Sequence, residues 1–323
     1  MSGVLSYVFL LIGFVLLVKG ADYFVDGSSS LAKRLKIPSI VIGLTIVAFG
    51  TSAPEAAVSI SASVTGNNGI VVGNVIGSNI FNLLMVVGVS AIIKPFTVKK
   101  KIINYDFPMS IYAALILIVV SLDTFLNGRT MNVVDRSEGI ILFVFIIMFV
   151  YSQVKNALNA RKIQETEDDG EDYEILSKTK TFLYIVLGLA AVIFGGDIVV
   201  DSASSIARSF GLSNHLIGLT IVAIGTSLPE LVTSVVAASK GESDLALGNV
   251  IGSNIFNIFF ILGIAGIVSP ISFDNSLFID TIILLAVSLL SYILTKVSKG
   301  GKRWHGILYV ILYIAFTWYI IIR

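Results

Sequence analysis

Cysteine is absent from this chain, histidine occurs twice, and Asp, Glu, Lys and Arg together make up only 13% of its 323 residues. Each shortage excludes something. Without cysteine there is no disulfide, no thiolate nucleophile and no thiolate metal ligand, and two histidines are too few for a conventional zinc or copper site. A water-soluble domain of this length needs roughly a quarter of its residues charged to cover its surface. The net charge of +1 gives no reason to expect nucleic acid as a partner. What the chain has instead is apolar surface: 55% of the residues are hydrophobic and the mean hydropathy is +0.92. A membrane-spanning helix needs about 20 mainly apolar residues, so a polytopic, all-α membrane protein is expected.

The first apolar run, Val4 to Val18, lacks the basic start and small-residue cleavage site of a signal peptide. It also has a partner in mid-chain, near Phe182 to Val200, and is read as a mature helix. That partnership extends along the whole sequence. GLTIVAFGTSAPE (Gly43 to Glu55) recurs as GLTIVAIGTSLPE (Gly218 to Glu230), and GNVIGSNIFN (Gly73 to Asn82) recurs unchanged as Gly248 to Asn257. Both pairs are offset by 175 residues, which also aligns Gly20 with Gly195, Asp22 with Asp197, Asp26 with Asp201 and Pro95 with Pro270. Gap-free matches of this length mean two homologous halves.

Hydropathy and polar punctuation predict five spans in each half, near 4–26, 40–64, 69–93, 105–122 and 138–154, then 180–202, 214–238, 244–268, 277–295 and 304–322. An odd number per half sends the second copy through the membrane upside down. The expectation is therefore ten transmembrane helices as two inverted five-helix repeats, residues 1–155 and 180–323, joined by an acidic linker at 156–179. With the N-terminus outside, seventeen Lys and Arg fall in cytoplasmic loops and four outside, so both termini are expected to be extracellular and the linker cytoplasmic. The linker's ETEDDGEDYE does not match an EF-hand and reads as a solvated connection, too short for a large regulatory domain.

Two carboxylates, Glu55 and Glu230, sit at equivalent positions inside apolar spans. An intramembrane charge is costly and usually marks a site or pathway. The alternatives are a buried ion pair, for which the neighbouring mid-membrane segments offer no basic partner, or a protonated, hydrogen-bonded glutamate; duplication inside the two most polar spans favours the functional reading over both. Pro54 and Pro229 each leave a carbonyl one turn earlier without its donor, and Gly50 and Gly225 loosen the same turn. Thr51, Ser52, Thr226 and Ser227 add hydroxyls. By helical spacing Ser52, Glu55 and Ser59 share one face, as do Ser227, Glu230 and Ser234. Asn74, Ser78 and Asn82 form a second stripe, repeated as Asn249, Ser253 and Asn257. That stripe reads as ligation, through Asn82 and Asn257 above all, and on another face as close packing through Gly73–Gly77 and Gly248–Gly252. Oxygen-only ligands favour hard cations, and a flexible cage suits Ca²⁺ better than Mg²⁺, with Na⁺ of similar radius as competitor. Asp22, Asp26, Asp197 and Asp201 read as a polar edge toward the ends of the first and sixth spans.

GTSAPE and GTSLPE, each followed by GNVIGSN, resemble the two alpha-repeats of the calcium/cation antiporter superfamily, in its Na⁺/Ca²⁺ exchanger branch. The resemblance covers nearly the whole chain. It implies ten helices, alternating access by movement of the first and sixth, and four adjacent cation sites. Glu55 and Glu230 would be shared by Ca²⁺ and Na⁺, and backbone oxygens of Thr51 and Thr226 would complete the Ca²⁺ shell. Ala48, Ser52 and Ser78 would serve one outer Na⁺ site, with Ala223, Ser227 and Ser253 serving its mirror. One position departs from the pattern: many exchangers carry aspartate where this chain has Asn257.

The expected partners are inorganic cations and the lipid bilayer, with no obligate protein partner and no cofactor beyond the transported Ca²⁺ and Na⁺. A proton-coupled Ca²⁺ antiporter is the nearest alternative, since glutamates can carry protons, although relatives of that type generally lack GTS-x-PE. An intramembrane enzyme is disfavoured because His215 and His305 have no HExxH context and no nucleophile–base pair is evident. A passive channel differs in one testable respect, its inability to drive Ca²⁺ uphill with Na⁺.

Overall fold

In a bilayer the backbone must satisfy its polar groups within each segment, so apolar runs fold as helices. The computed structural model describes residues 3–126, 128, 130–164, 175–212, 217, 221, 223–273 and 275–322. The first half contains α1 (Gly3–Leu35), α2 (Ser39–Thr51), α3 (Ala53–Val64), α4 (Asn68–Ile93), α5 (Ile102–Val120), the short α6 (Asp123–Leu126) and α7 (Arg136–Gln164). The second contains α8 (Lys178–Ser209), the short α9 (Ala223–Gly225), α10 (Leu228–Lys240), α11 (Ser243–Val268), α12 (Asn275–Ser298) and α13 (Arg303–Ile322). Among the described residues, eight helices are long and apolar enough to cross a membrane, or nine if α2 and α3, bent by 48° at their junction, form one span. This is an integral membrane protein with helical spans. The span expected at 214–238 is represented by α9 and α10, while positions 213–216, 218–220 and 222 lie outside the described residues, as does the acidic run at 165–174.

Several helices outrun their apolar cores. α1 continues to Leu35 rather than ending near 26, α7 to Gln164 rather than 154, and α8 to Ser209 rather than 202. Hydropathy finds the part that lipid covers, whereas helical hydrogen bonding carries on into the interface. At 33 residues α1 is about 50 Å long, well beyond a hydrocarbon core of about 30 Å. Lys33 and Arg34 thus ride on its last turn, where cations favour the helix dipole, and not in a loop. Asp22 and Asp26 also lie within the helix, where both carboxylates pair with Lys240 at the end of α10, at 2.7 and 2.6 Å.

α4 and α11 occupy the centre. Of their most apolar windows 72% and 83% is buried, against 17% for α13, so the other spans wrap them and face lipid. α1 and α8 form a separate close pair. A Cβ on Gly20 would lie 2.9 Å from the Gly188 carbonyl, and one on Gly188 would lie 2.8 Å from the Gly20 carbonyl. Contact at that range needs residues without side chains.

Two small antiparallel ribbons tie the halves together. β1 (Phe96–Thr97) pairs with β4 (Gly300–Gly301), and β2 (Asn132–Val134) pairs with β3 (Ile271–Phe273) in the register Asn132↔Phe273. β1 precedes α5 and β2 follows it, so the two ribbons sit at opposite ends of that helix. His305 is fully buried at the α12–α13 corner, where its ring meets the Lys302 amide and the Ser298 hydroxyl at 3.3 and 3.2 Å.

Candidate cation-binding site

Pro54 and Pro229 stand in the first two positions of α3 and α10, where a missing N–H is tolerated. The residues just before these helices break the regularity: Ser52 has φ −81°, ψ 7° and Ser227 has φ −94°, ψ 8°. Helices therefore restart at two places deep in the molecule, and Glu55 and Glu230 fall in the first turn of each new helix. The positive end of the helix dipole favours a carboxylate there. Each glutamate is 1% exposed.

The break redirects the serines. Ser52, which i, i+3 spacing sets on one face with Glu55, turns instead to the other half. Its hydroxyl donates to Glu230 Oε1 at 2.9 Å, and Ser227 donates to Glu55 Oε1 at 2.7 Å. The spacing argument assumes an unbroken helix, and at Ser52 and Ser227 the backbone leaves helical geometry. Each half thereby holds the other half's acid. Ser78 Oγ lies 3.1 Å from Ser227 Oγ, and Ser253 Oγ reaches Glu230 Oε1 at 3.4 Å.

Asn74 and Asn249 brace the broken helices. Asn74 donates to the Glu55 carbonyl and the Ser59 hydroxyl at 3.2 and 2.9 Å, and Asn249 donates to the Glu230 carbonyl and the Ser234 hydroxyl at 3.4 and 2.9 Å. Thr51 closes this layer by donating to Asn249 Oδ1 at 2.9 Å. Ala48 is fully buried, and its carbonyl accepts the Ser52 N–H at 3.0 Å. The close packing expected of the small residues holds at Gly248 and Gly252, where a Cβ on Gly252 would come within 2.6 Å of Ala48 Cβ, but not at Gly73 and Gly77, where an added Cβ would meet nothing within 4 Å. Ala223 opens α9, and Thr226 follows that helix with a buried hydroxyl that has no partner.

Asn82 and Asn257 are 0% and 1% exposed, and each begins a widened π-turn, Asn82–Val86 and Asn257–Ile261. Such turns inside α-helices frequently mark functional positions. Their amide nitrogens are held by Asn254 Oδ1 and Asn79 Oδ1 at 3.1 and 3.0 Å. Sequence reasoning passed over Asn79 and Asn254. The available signal was their place three residues before Asn82 and Asn257 in the decapeptide that repeats without change.

Among the buried side-chain atoms of the described residues that have no hydrogen-bond partner are four carboxylate and amide oxygens of these repeated positions: Glu55 Oε2, Glu230 Oε2, Asn82 Oδ1 and Asn257 Oδ1. These are acceptor oxygens, two of them carboxylate, and among the described residues no lysine, arginine or histidine forms an ion pair with either glutamate. The described residues also contain no group of three or more His, Cys, Asp or Glu able to hold a metal. The chemistry on offer is two carboxylates supplemented by amide and hydroxyl oxygens.

Comparison with known proteins identifies the family and fold. The family model for sodium/calcium exchanger protein matches residues 5–155 and 180–322. The sodium/calcium exchanger MaX1 of Methanosarcina acetivorans is 35% identical over 96% of this chain and 97% of its own length. The putative antiporter CaxA of Alkalimonas amylolytica is 43% identical over 81% of each chain. A solved structure of the sodium-calcium exchanger NCX_Mj superposes with a TM-score of 0.81 at 33% identity, covering 96% of this chain and 97% of that one. On the match of both halves and the agreement in fold, this membrane protein belongs to the sodium/calcium exchanger family.

Proposed function

We propose that this chain exchanges Na⁺ for Ca²⁺ by alternating access, through a site shared by two inverted five-helix repeats, residues 1–155 and 180–323. The observation that carries the reading is the reciprocal hold of Ser52 on Glu230 and Ser227 on Glu55, which leaves acceptor oxygens from both halves without donors. A cation satisfies such oxygens, and departure of the cation leaves them costly. Obligatory exchange follows if one ion must replace another.

The ribbons support inversion. β1 and β3 are equivalent at the 175-residue offset, yet β3 pairs with β2 at the end of α5 remote from β1. α2–α3 and α9–α10 complete the count of ten spans. Lys and Arg placement supports an orientation with both termini outside and the 156–179 linker in the cytoplasm.

In this scheme Glu55 and Glu230 bind Ca²⁺ and Na⁺ in turn, and Asn82 and Asn257 contribute amide oxygens. Backbone oxygens of Thr51 and Thr226 complete the six to eight ligands, roughly, that Ca²⁺ takes. Ala48, Ser52 and Ser78 serve a flanking Na⁺, and Ala223, Ser227 and Ser253 serve its mirror. The two glutamates carry −2, so one Ca²⁺ or two Na⁺ neutralise them, and three Na⁺ leave +1. Net current during exchange therefore reports whether a third Na⁺ accompanies the cycle.

The test is Ca²⁺ uptake into Na⁺-loaded proteoliposomes. Uptake should follow the Na⁺ gradient and fall at least about a hundredfold in Glu55→Gln or Glu230→Gln, because each removes a buried charge from a coupled set. Uptake unchanged by either substitution sinks the site assignment. Uptake driven by a pH gradient with no Na⁺ present replaces the Na⁺ reading with proton coupling.

A further inference from the structure

Where α4 and α11 cross, Asn79 and Asn254 make a reciprocal pair. Asn79 Nδ2 donates to the Asn254 carbonyl at 3.3 Å, and Asn254 Nδ2 donates to the Asn79 carbonyl at 3.4 Å. A backbone carbonyl only accepts, so it fixes which end of each amide is the NH₂. The other end, Oδ1, must then face a donor. Asn254 Oδ1 faces Asn82 Nδ2 at 3.1 Å, and Asn79 Oδ1 faces Asn257 Nδ2 at 3.0 Å. By this chain of two hydrogen bonds, two backbone carbonyls determine that Asn82 and Asn257 turn their oxygens, not their NH₂ groups, away from the crossing. Both of those oxygens are buried and without donors. All four asparagines are at most 2% exposed, so water does not compete for the pairing.

We infer that Asn79 and Asn254 are positioning residues, whose crossed amides hold the oxygen ends of Asn257 and Asn82 toward the transported cations. The inference rests on the proposed function, which makes Asn82 and Asn257 ligands. An amide free to turn presents NH₂ as readily as oxygen, and an NH₂ repels a cation. The pair also makes the site sensitive to the chemistry at 257. A carboxylate there has no donor for Asn79 Oδ1, so acceptor would face acceptor. Asn79 suits asparagine at 257 and opposes ionised aspartate.

The experiment compares Asn79→Leu in two backgrounds, the wild-type chain and Asn257→Asp, measuring Ca²⁺ and Na⁺ half-saturation in proteoliposomes and Ca²⁺-dependent thermal stabilisation in detergent. In the wild-type background Asn79→Leu should raise Ca²⁺ half-saturation about tenfold, the worth of one ordered buried hydrogen bond. In the Asn257→Asp background it should raise it less than about twofold, because both ends of a carboxylate are oxygen and the opposing acceptor is gone. Asn79→Ser, smaller and less disruptive to the helix crossing, repeats the comparison if the leucine variant does not fold. Equal losses in both backgrounds, or no loss in the wild type, overturn the positioning role. Half-saturation unmoved by Asn257→Ala and Asn82→Ala overturns the ligand reading, and the inference with it.

Discussion

At the scale of single residues, the two glutamates depend on hydroxyls from the opposite half. A hydrogen bond to a charged group contributes about 1.5–3 kcal/mol, more than a neutral one. Ser52→Ala should therefore weaken Ca²⁺ binding by about tenfold or more by freeing Glu230, while Ser227→Ala should do so through Glu55. Isothermal titration of the purified variants checks both. The double substitutions supply the sharper measurement: if the crossed pairing is right, Ser52→Ala is nearly silent once Glu230→Gln is present, but not once Glu55→Gln is present. Coupling to the glutamate of its own helix instead would contradict the geometry. Ser52 and Glu55 were legible as polar residues of one motif, but their partners were not. Partner choice turned on the backbone angles at Ser52 and Ser227, which spacing rules cannot anticipate.

Among the elements, α1 is attached to α10 by charge. Lys240 at the end of α10 meets Asp22 and Asp26 at 2.7 and 2.6 Å, and it also donates to the Asp22 carbonyl at 3.2 Å. At the 175-residue offset the two aspartates become Asp197 and Asp201, whereas Lys240 corresponds to Thr65. The clasp belongs to one half only. These groups are partly exposed, so each pair contributes about 1 kcal/mol or less. Lys240→Thr should accelerate amide hydrogen exchange in the Asp22–Leu35 part of α1 by a few fold, and high salt should mimic it. Unaltered exchange would show that packing alone holds this stretch. The helices themselves were visible in hydropathy, but their ends were not, because α1, α7 and α8 continue as helix past the apolar residues that reveal them.

For the whole molecule, the absence of cysteine makes topology directly measurable. Single cysteines introduced at Thr97 and at Ser272 occupy β1 and β3, which are equivalent in sequence but belong to different ribbons. An impermeant thiol reagent applied to intact cells should label Ser272→Cys and leave Thr97→Cys unlabelled until the membrane is opened. Labelling of both from one side would end the inverted-repeat reading. It would leave the helices intact and the functional proposal without its architecture.

The sequence alone determined that the chain lives in a membrane, that it is two copies of one unit, and that two carboxylates, Glu55 and Glu230, recur at equivalent positions inside its apolar spans. Those conclusions follow from composition, from exact repetition and from the cost of charge in lipid, all of which are properties of the linear chain. Only the tertiary structure decided that Ser52 serves Glu230, that Asn74 and Asn249 brace broken helices, and that Asn79 and Asn254 orient the amides beside the site. Each of these is a contact between residues far apart in sequence, made where broken or widened helices change the direction a side chain takes. Local periodicity carries no information about such contacts.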